Sequence, residues 1–160
     1  MVKSNGGSSC KCTAYLPWIL YGLAVLLTIY LVNEGVPLWR AYLRSVVLFC
    51  VGIQGLWSTI GYFMFTERAA RCMGWAPSHF QTVLGAASLS LGLIAVASFF
   101  ITNWLIPVGL IAAIFYAACA IIHIKDRSVR KTKTPCNCSS MYFYMNVVVA
   151  VTLLIAIGSY

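Results

Sequence analysis

Acidic residues are almost missing from this sequence: three Asp and Glu in 160 residues, against eleven Lys and Arg. General acid–base catalysis by paired carboxylates needs two acids in one cleft, and an ion or proton path needs ionisable groups inside its spans. Glu34, Glu67 and Asp126 all lie outside the apolar runs. Both devices are therefore excluded, and with them a transporter carrying its own coupling site. Histidine is limited to His79 and His123, and there is no Ser/His/Asp set and no phosphate-cradling glycine loop. Charge of either sign is scarce, at 9%, where a soluble domain carries about 25%. A chain that is 61% hydrophobic cannot cover itself with polar groups in water. Repeats of 20–50 residues are absent, so this is no solenoid. No small-residue cleavage site follows the first apolar run, which is expected to be kept as an anchor.

Long apolar runs fill the space that these absences leave. An apolar helix of about 20 residues, at 1.5 Å each, crosses a ~30 Å hydrocarbon layer. Five runs qualify, at about 14–32, 46–65, 81–101, 105–124 and 141–160. The expected fold is all-α: a polytopic transmembrane helical bundle of five spans, or four plus one peripheral helix. Residues 1–13 read as a disordered Ser/Gly-rich tail and 14–160 as a single domain. Trp39, Arg40, Tyr42 and Arg44 read as an interfacial belt ahead of span two. Only Thr102-Asn103-Trp104 separates spans three and four, so these form a tight hairpin, with Pro107 in the first turn of span four.

Five spans place the N-terminus and the loops at 66–80 and 125–140 on one face. That face collects Lys3, Lys11, Arg68, Arg71, Lys125, Arg127, Arg130, Lys131 and Lys133, whereas the other has Arg40 and Arg44. The positive-inside rule then puts the N-terminus in the cytoplasm and the C-terminus on the opposite side. A net charge of +8 distributed between apolar runs speaks for topology and anionic lipid, not for nucleic acid.

The stretch from Thr66 to Gly92 organises the rest. It predicts a short helix over Thr66–Met73 with Thr66 as cap, ended by Gly74. Trp75 is expected at headgroup depth, and Pro77 forces the next helix to begin after it. Ser78 and Gln81 have the spacing of a capping box. Small residues follow: Gly85, Ala86, Ala87, Ser88 and Gly92 in span three, then Gly109, Ala113 and Ala117 in span four. In lipid, helices associate where small residues let backbones approach, and the short turn between these spans predicts that the two stripes face each other.

Seven cysteines are present. Cys10 and Cys12 form C-K-C before span one, Cys136 and Cys138 form C-N-C before span five, and Cys72 lies in the central loop. The topology puts all five at one face. Four thiolates, Cys10, Cys12, Cys136 and Cys138, are candidate ligands for Zn²⁺, or for copper given the C-x-C spacing. Acylation, disulfides under an inverted topology, and plain unmodified thiols are the alternatives. Cys50 and Cys119 lie within spans and read as small apolar packing residues. His79 and His123 could flank a haem between spans three and four; ordinary interfacial hydrogen bonding is the plainer reading.

Around the short interfacial helix stand Glu67, Ala70, Met73-Gly74-Trp75, Ser78-His79-Phe80-Gln81, Gly85, Ala87, Leu89 and Gly92. This pattern, about 30 residues long, resembles a family of uncharacterised small prokaryotic membrane proteins with a G-W…S-P-F-Q…G signature. More loosely, it is similar to the DoxX-like group of four-helix membrane proteins. The resemblance implies the membrane-bundle fold and assigns no activity. Here His79 stands in place of the family's proline, Val83 in place of a glutamate, Ser88 in place of an asparagine, and Tyr62 where a histidine is expected. Any family site built on those polar positions is absent from this chain.

The expected function is that of a small integral membrane protein, leaning non-enzymatic. It would be a structural or accessory subunit in contact with the lipid bilayer and with other membrane subunits or copies of itself. One alternative is a metal- or redox-handling protein that uses the C-x-C pairs. Another binds a lipid or small solute in a pocket lined by Gln54, Trp57, Tyr62 and Asn146.

Overall fold

A computed structural model describes residues 7–73, 76–130 and 141–159. Every regular element among them is helical: α1 (Gly7–Asn33), α2 (Leu38–Val46), a π-helical segment (Val47–Ile53), α3 (Gln54–Met64), α4 (Thr66–Met73), α5 (His79–Phe100), a 3-10 turn (Thr102–Trp104), α6 (Leu105–Arg130) and α7 (Met141–Gly158). Four stretches are long and apolar enough to cross a membrane: Tyr15–Asn33, Leu38–Met64, His79–Phe100 and Thr102–Lys125. The apolar run of α7, Phe143–Gly158, is shorter. The all-α helical bundle is therefore the fold, and the chain is built as a multi-pass membrane protein. Large apolar side chains turned outward, among them Leu26, Phe100 and Ile114, are what a lipid solvent leaves exposed.

Local chemistry sets the ends of the helices. Gly35 has φ +86°, and its N–H bonds the Val32 carbonyl while the Val36 N–H bonds that of Leu31. This double closure is the Schellman stop, which needs the left-handed residue that glycine supplies. Pro37 then fixes the chain for a new start at Leu38. The expected interfacial belt is in fact the first turns of one continuous helical stretch, because α2, the π segment and α3 join without a break. We call this stretch, Leu38–Met64, span two. Within the belt, Arg44 Nε donates to the Phe99 carbonyl at 3.0 Å and its guanidinium lies 4.2 Å from the Phe99 ring centre. That pairing satisfies a carbonyl in the last turn of α5, where a cation suits the helix dipole.

At the other face, Phe65 leaves the helical region at φ −129°, ψ 38°, and α4 starts at once. Its bounds are those predicted, but Thr66 does not cap it. The Thr66 hydroxyl donates backward to the Tyr62 carbonyl at 2.6 Å, because a single intervening residue leaves Thr66 already helical. The start of α5 is as expected. Ser78 is extended at φ −155°, its Oγ accepts from the Phe80 N–H at 3.3 Å, and the Ser78 N–H donates to Gln81 Oε1 at 2.8 Å. Gln81 also donates to the Ala76 carbonyl and is 1% exposed. Gly74 and Trp75, for which a turn and a headgroup anchor were expected, lie outside the described residues.

The small stripe of α5 meets span two, not α6. A Cβ placed on Gly55 would sit 3.0 Å from the Ser88 carbonyl oxygen and 3.1 Å from Gly92 Cα. One on Gly92 would sit 3.0 Å from the Leu56 nitrogen and 3.1 Å from the Gly52 carbonyl oxygen. Backbone lies against backbone, which glycine alone permits. Thr59 Oγ1 reaches both the Gly55 carbonyl, at 2.9 Å, and the Gly85 carbonyl, at 3.3 Å, across this seam. On α6, Gly109 packs instead against Leu43 and Ile157, at 3.2 and 3.3 Å from its would-be Cβ. The tight turn makes α5 and α6 neighbours; it does not choose which faces they share. Residues from every long helix close the core, α7 included through Met145, Val149, Leu153 and Ala156.

Candidate functional site

A cavity of about 140 Å³ lies between the long helices, lined from all of them. Span two supplies Cys50, Gln54, Ser58 and Tyr62. These positions are four apart, so they form one stripe on one face of a helix. Leu84, Ser88 and Leu91 come from α5, and Phe115, Tyr116, Cys119 and His123 from α6. Met145, Asn146 and Val149 come from α7, and Pro17 from α1. Tyr62 and His123 are near the ends of their helices, and Leu84, Met145 and Pro17 near the starts of theirs. Because the helices alternate in direction, these positions share the N-terminal face. Cys50 lies roughly 18 Å deeper along span two. The cavity therefore occupies the half of the bundle nearest that face.

Its wall is mainly apolar with neutral polar groups set into it, and among the described residues no Asp, Glu, Lys or Arg lines it. One polar atom is left over. Gln54 Oε1 is buried and has no hydrogen-bond partner among the described residues. An unmade buried hydrogen bond is costly to the folded state. At the deep end, Tyr116 donates its hydroxyl to the Cys50 carbonyl. Cys50 belongs to the π-helical segment, whose wider turn departs from the α ladder, and such segments recur at functional sites. Phe115 and Tyr116 stack edge to face, with ring centres 5.7 Å apart. The arrangement can hold a small uncharged molecule and give it a hydrogen-bond acceptor and aromatic walls.

Three of the four residues expected to line a pocket do so: Gln54, Tyr62 and Asn146. Trp57 does not. It falls off the Gln54–Ser58 stripe and is 49% exposed. His123 lines the cavity at 8% exposure, whereas His79 is exposed at the start of α5 and does not line it. Cys50 and Cys119 are free thiols on the cavity wall, and no three His, Cys, Asp or Glu side chains group as a metal set among the described residues. The side chains of Cys10, Cys12 and Cys72, and the whole of Cys136 and Cys138, lie outside the described residues. Sequence reading missed Ser58, Ser88, Tyr116, Cys119 and His123 as cavity residues. The signal was available: in span two and in α6, polar residues recur three or four apart on otherwise apolar helices.

The chain belongs to a family of unknown function, DUF6790, whose model matches residues 13–159. Neither a curated protein nor a solved structure matches it. The match agrees with an uncharacterised family; it supports neither the G-W…S-P-F-Q…G signature nor the likeness to the DoxX-like group.

Proposed function

We propose that this protein is a non-enzymatic membrane protein that holds one small uncharged molecule, a lipid head or a lipophilic solute, inside its helix bundle. The observation that carries the reading is the cavity of about 140 Å³, lined from every long helix and, among the described residues, by no Asp, Glu, Lys or Arg. A packed interior keeps few voids larger than a water molecule, and in lipid a bundle has no need of one that holds an unpartnered acceptor. The accessory-subunit reading has less support, because the small-residue stripes that motivated it are used within the chain. Native mass spectrometry of the full chain released from mild detergent tests the proposal. A retained neutral adduct is expected, and it should be lost in Ser58→Phe, which fills the cavity. A folded wild type without any adduct, given access to extracted membrane lipid, counts against it.

A metal-handling role for Cys10, Cys12, Cys136 and Cys138 is a second reading. One observation favours it: Pro17, His123 and Met145 share the cavity's end, so α1 and α7, the helices that carry or follow the two C-x-C pairs in sequence, begin at one face. Elemental analysis for zinc and copper, before and after Cys→Ser at the four positions, tests it. A stoichiometric metal lost with the thiols is the expected result.

A further inference from the structure

Resting on that reading of the cavity, we infer that its ligand is a neutral amphiphile with a hydroxyl head, and that this hydroxyl donates to Gln54 Oε1. Gln54 offers a buried acceptor without a partner, and the group that removes its cost is a donor. The position is deep. Gln54 stands ten residues before the end of α3 at Met64, or roughly 15 Å along the helix. A molecule reaching it from the bilayer must be lipophilic and bring its own O–H. Charge is disfavoured by this wall. A carboxylate or phosphate would be desolvated against Leu84, Leu91, Phe115 and Met145, and among the described residues no Lys or Arg lines the cavity to pair with it. The volume is close to that of the ~150 Å³ apolar cavity that accepts benzene. The head is thus a single ring or a short branched alcohol, and the tail leaves between helices. Paired Phe115 and Tyr116 rings favour an aromatic head, and an aliphatic alcohol shares the same donor chemistry.

Isothermal titration of the detergent-purified full chain tests this with four probes: 4-nonylphenol, its methyl ether 4-nonylanisole, 4-nonylbenzoate and 1-dodecanol. Wild type is expected to bind the phenol about tenfold more tightly than the anisole, the scale of one buried hydrogen bond, and to bind the benzoate least. In Gln54→Leu the phenol and anisole should converge to within about twofold, the anisole affinity being kept. Tighter binding of 1-dodecanol than of the phenol would keep the hydroxyl and move the head to the aliphatic class. A wild-type phenol-to-anisole ratio near one, or a ratio untouched by Gln54→Leu, overturns the inference while the cavity reading stands. Failure of all four probes to saturate overturns both. If Gln54→Leu does not fold, the wild-type ratio decides alone: near tenfold supports the hydroxyl, near one overturns it.

Discussion

Span two carries two stripes of opposite character a fraction of a turn apart. Gly52 and Gly55 press on the backbone of α5, a contact with no room, crossed by the hydrogen bond from Thr59 Oγ1 to the Gly85 carbonyl. Cys50, Gln54, Ser58 and Tyr62 border open volume and leave an acceptor without a partner. In lipid the first arrangement is what holds helices together, since apolar side chains gain nothing by leaving the bilayer. The second costs stability, and a sequence keeps such a cost where something else is gained. The two meet in Gly55 and Ser88, which belong to the seam and also line the cavity. Rigidity next to the cavity lets the wall keep its shape where Gly55 and Ser88 form it.

The comparison breaks most visibly at Gly92. Its would-be Cβ lies 3.0 Å from the Leu56 nitrogen and 3.1 Å from the Gly52 oxygen, both backbone. No rotamer change relieves that contact, so Gly92→Leu forces the helices apart. Overpacking typically costs ~1–3 kcal/mol, occasionally more, and a backbone clash belongs at the upper end. Thermal unfolding in detergent should show a large fall in Tm or loss of a monodisperse species. A variant that melts like wild type would mean that α5 does not lie against span two in this way.

Next in size is Tyr116→Phe, on the cavity side. The phenol hydroxyl is the donor to the Cys50 carbonyl inside the π-helical segment. Removing it takes from that carbonyl its donor on the neighbouring helix, at membrane depth. Orphaned buried acceptors cost ~1–3 kcal/mol in soluble proteins, while interhelical hydrogen bonds in membranes average ~0.6 kcal/mol. Between these limits we expect about 1–2 kcal/mol, read as a lower Tm, with amide exchange rising first around Cys50. Unchanged exchange there would separate the π segment from α6.

How far the sequence announced this structure differs along the chain, and the reason is range. The bounds of α4 and the box at Ser78 and Gln81 were legible because each depends on residues within a turn of each other. Thr66 shows the limit of even that. Its hydroxyl caps or back-bonds according to whether the residue before it is extended, which depends on how α3 ends. The partner of the α5 stripe was not legible, since small residues state how closely a helix can be approached and not by which neighbour. Nor was the π segment, because Val-Leu-Phe-Cys-Val-Gly-Ile reads as ordinary apolar helix. Of the cavity, Gln54, Tyr62 and Asn146 stood out as polar residues in apolar runs. Tyr116, Cys119 and His123 each had a plainer reading until the helices were set around a common space.

Ser78→Ala tests the seam helix at its free end and should cost about 0.5–1 kcal/mol, the lower part of the range for a lost N-cap. The effect is limited because the Ser78 N–H bond to Gln81 Oε1, 2.8 Å, survives the change; what is removed is the acceptor for the Phe80 N–H and the hydroxyl's own 3.0 Å bond to the same Gln81 oxygen. Faster amide exchange at Phe80, without change at Ala95 in the core, is the expected pattern. Exchange spreading to Ala95 would show that the cap controls the seam.

The smallest effect is expected at Gly61, and it marks where both stripes end. Gly61 is on span two like Gly52 and Gly55, yet a Cβ there meets nothing within 4 Å. It does not line the cavity either. Its place in α3 is an ordinary helical one, so alanine brings no backbone strain and lowers the entropy of the unfolded chain. In a water-exposed helix that exchange is worth up to about 1 kcal/mol; against lipid we expect a Tm equal to wild type or slightly higher, and the same probe affinities. A fall in Tm would mean that the glycine seam runs on past Thr59 toward α4. A change in the phenol-to-anisole ratio would mean that the cavity wall reaches round the helix, and that one surface, not two, serves packing and binding.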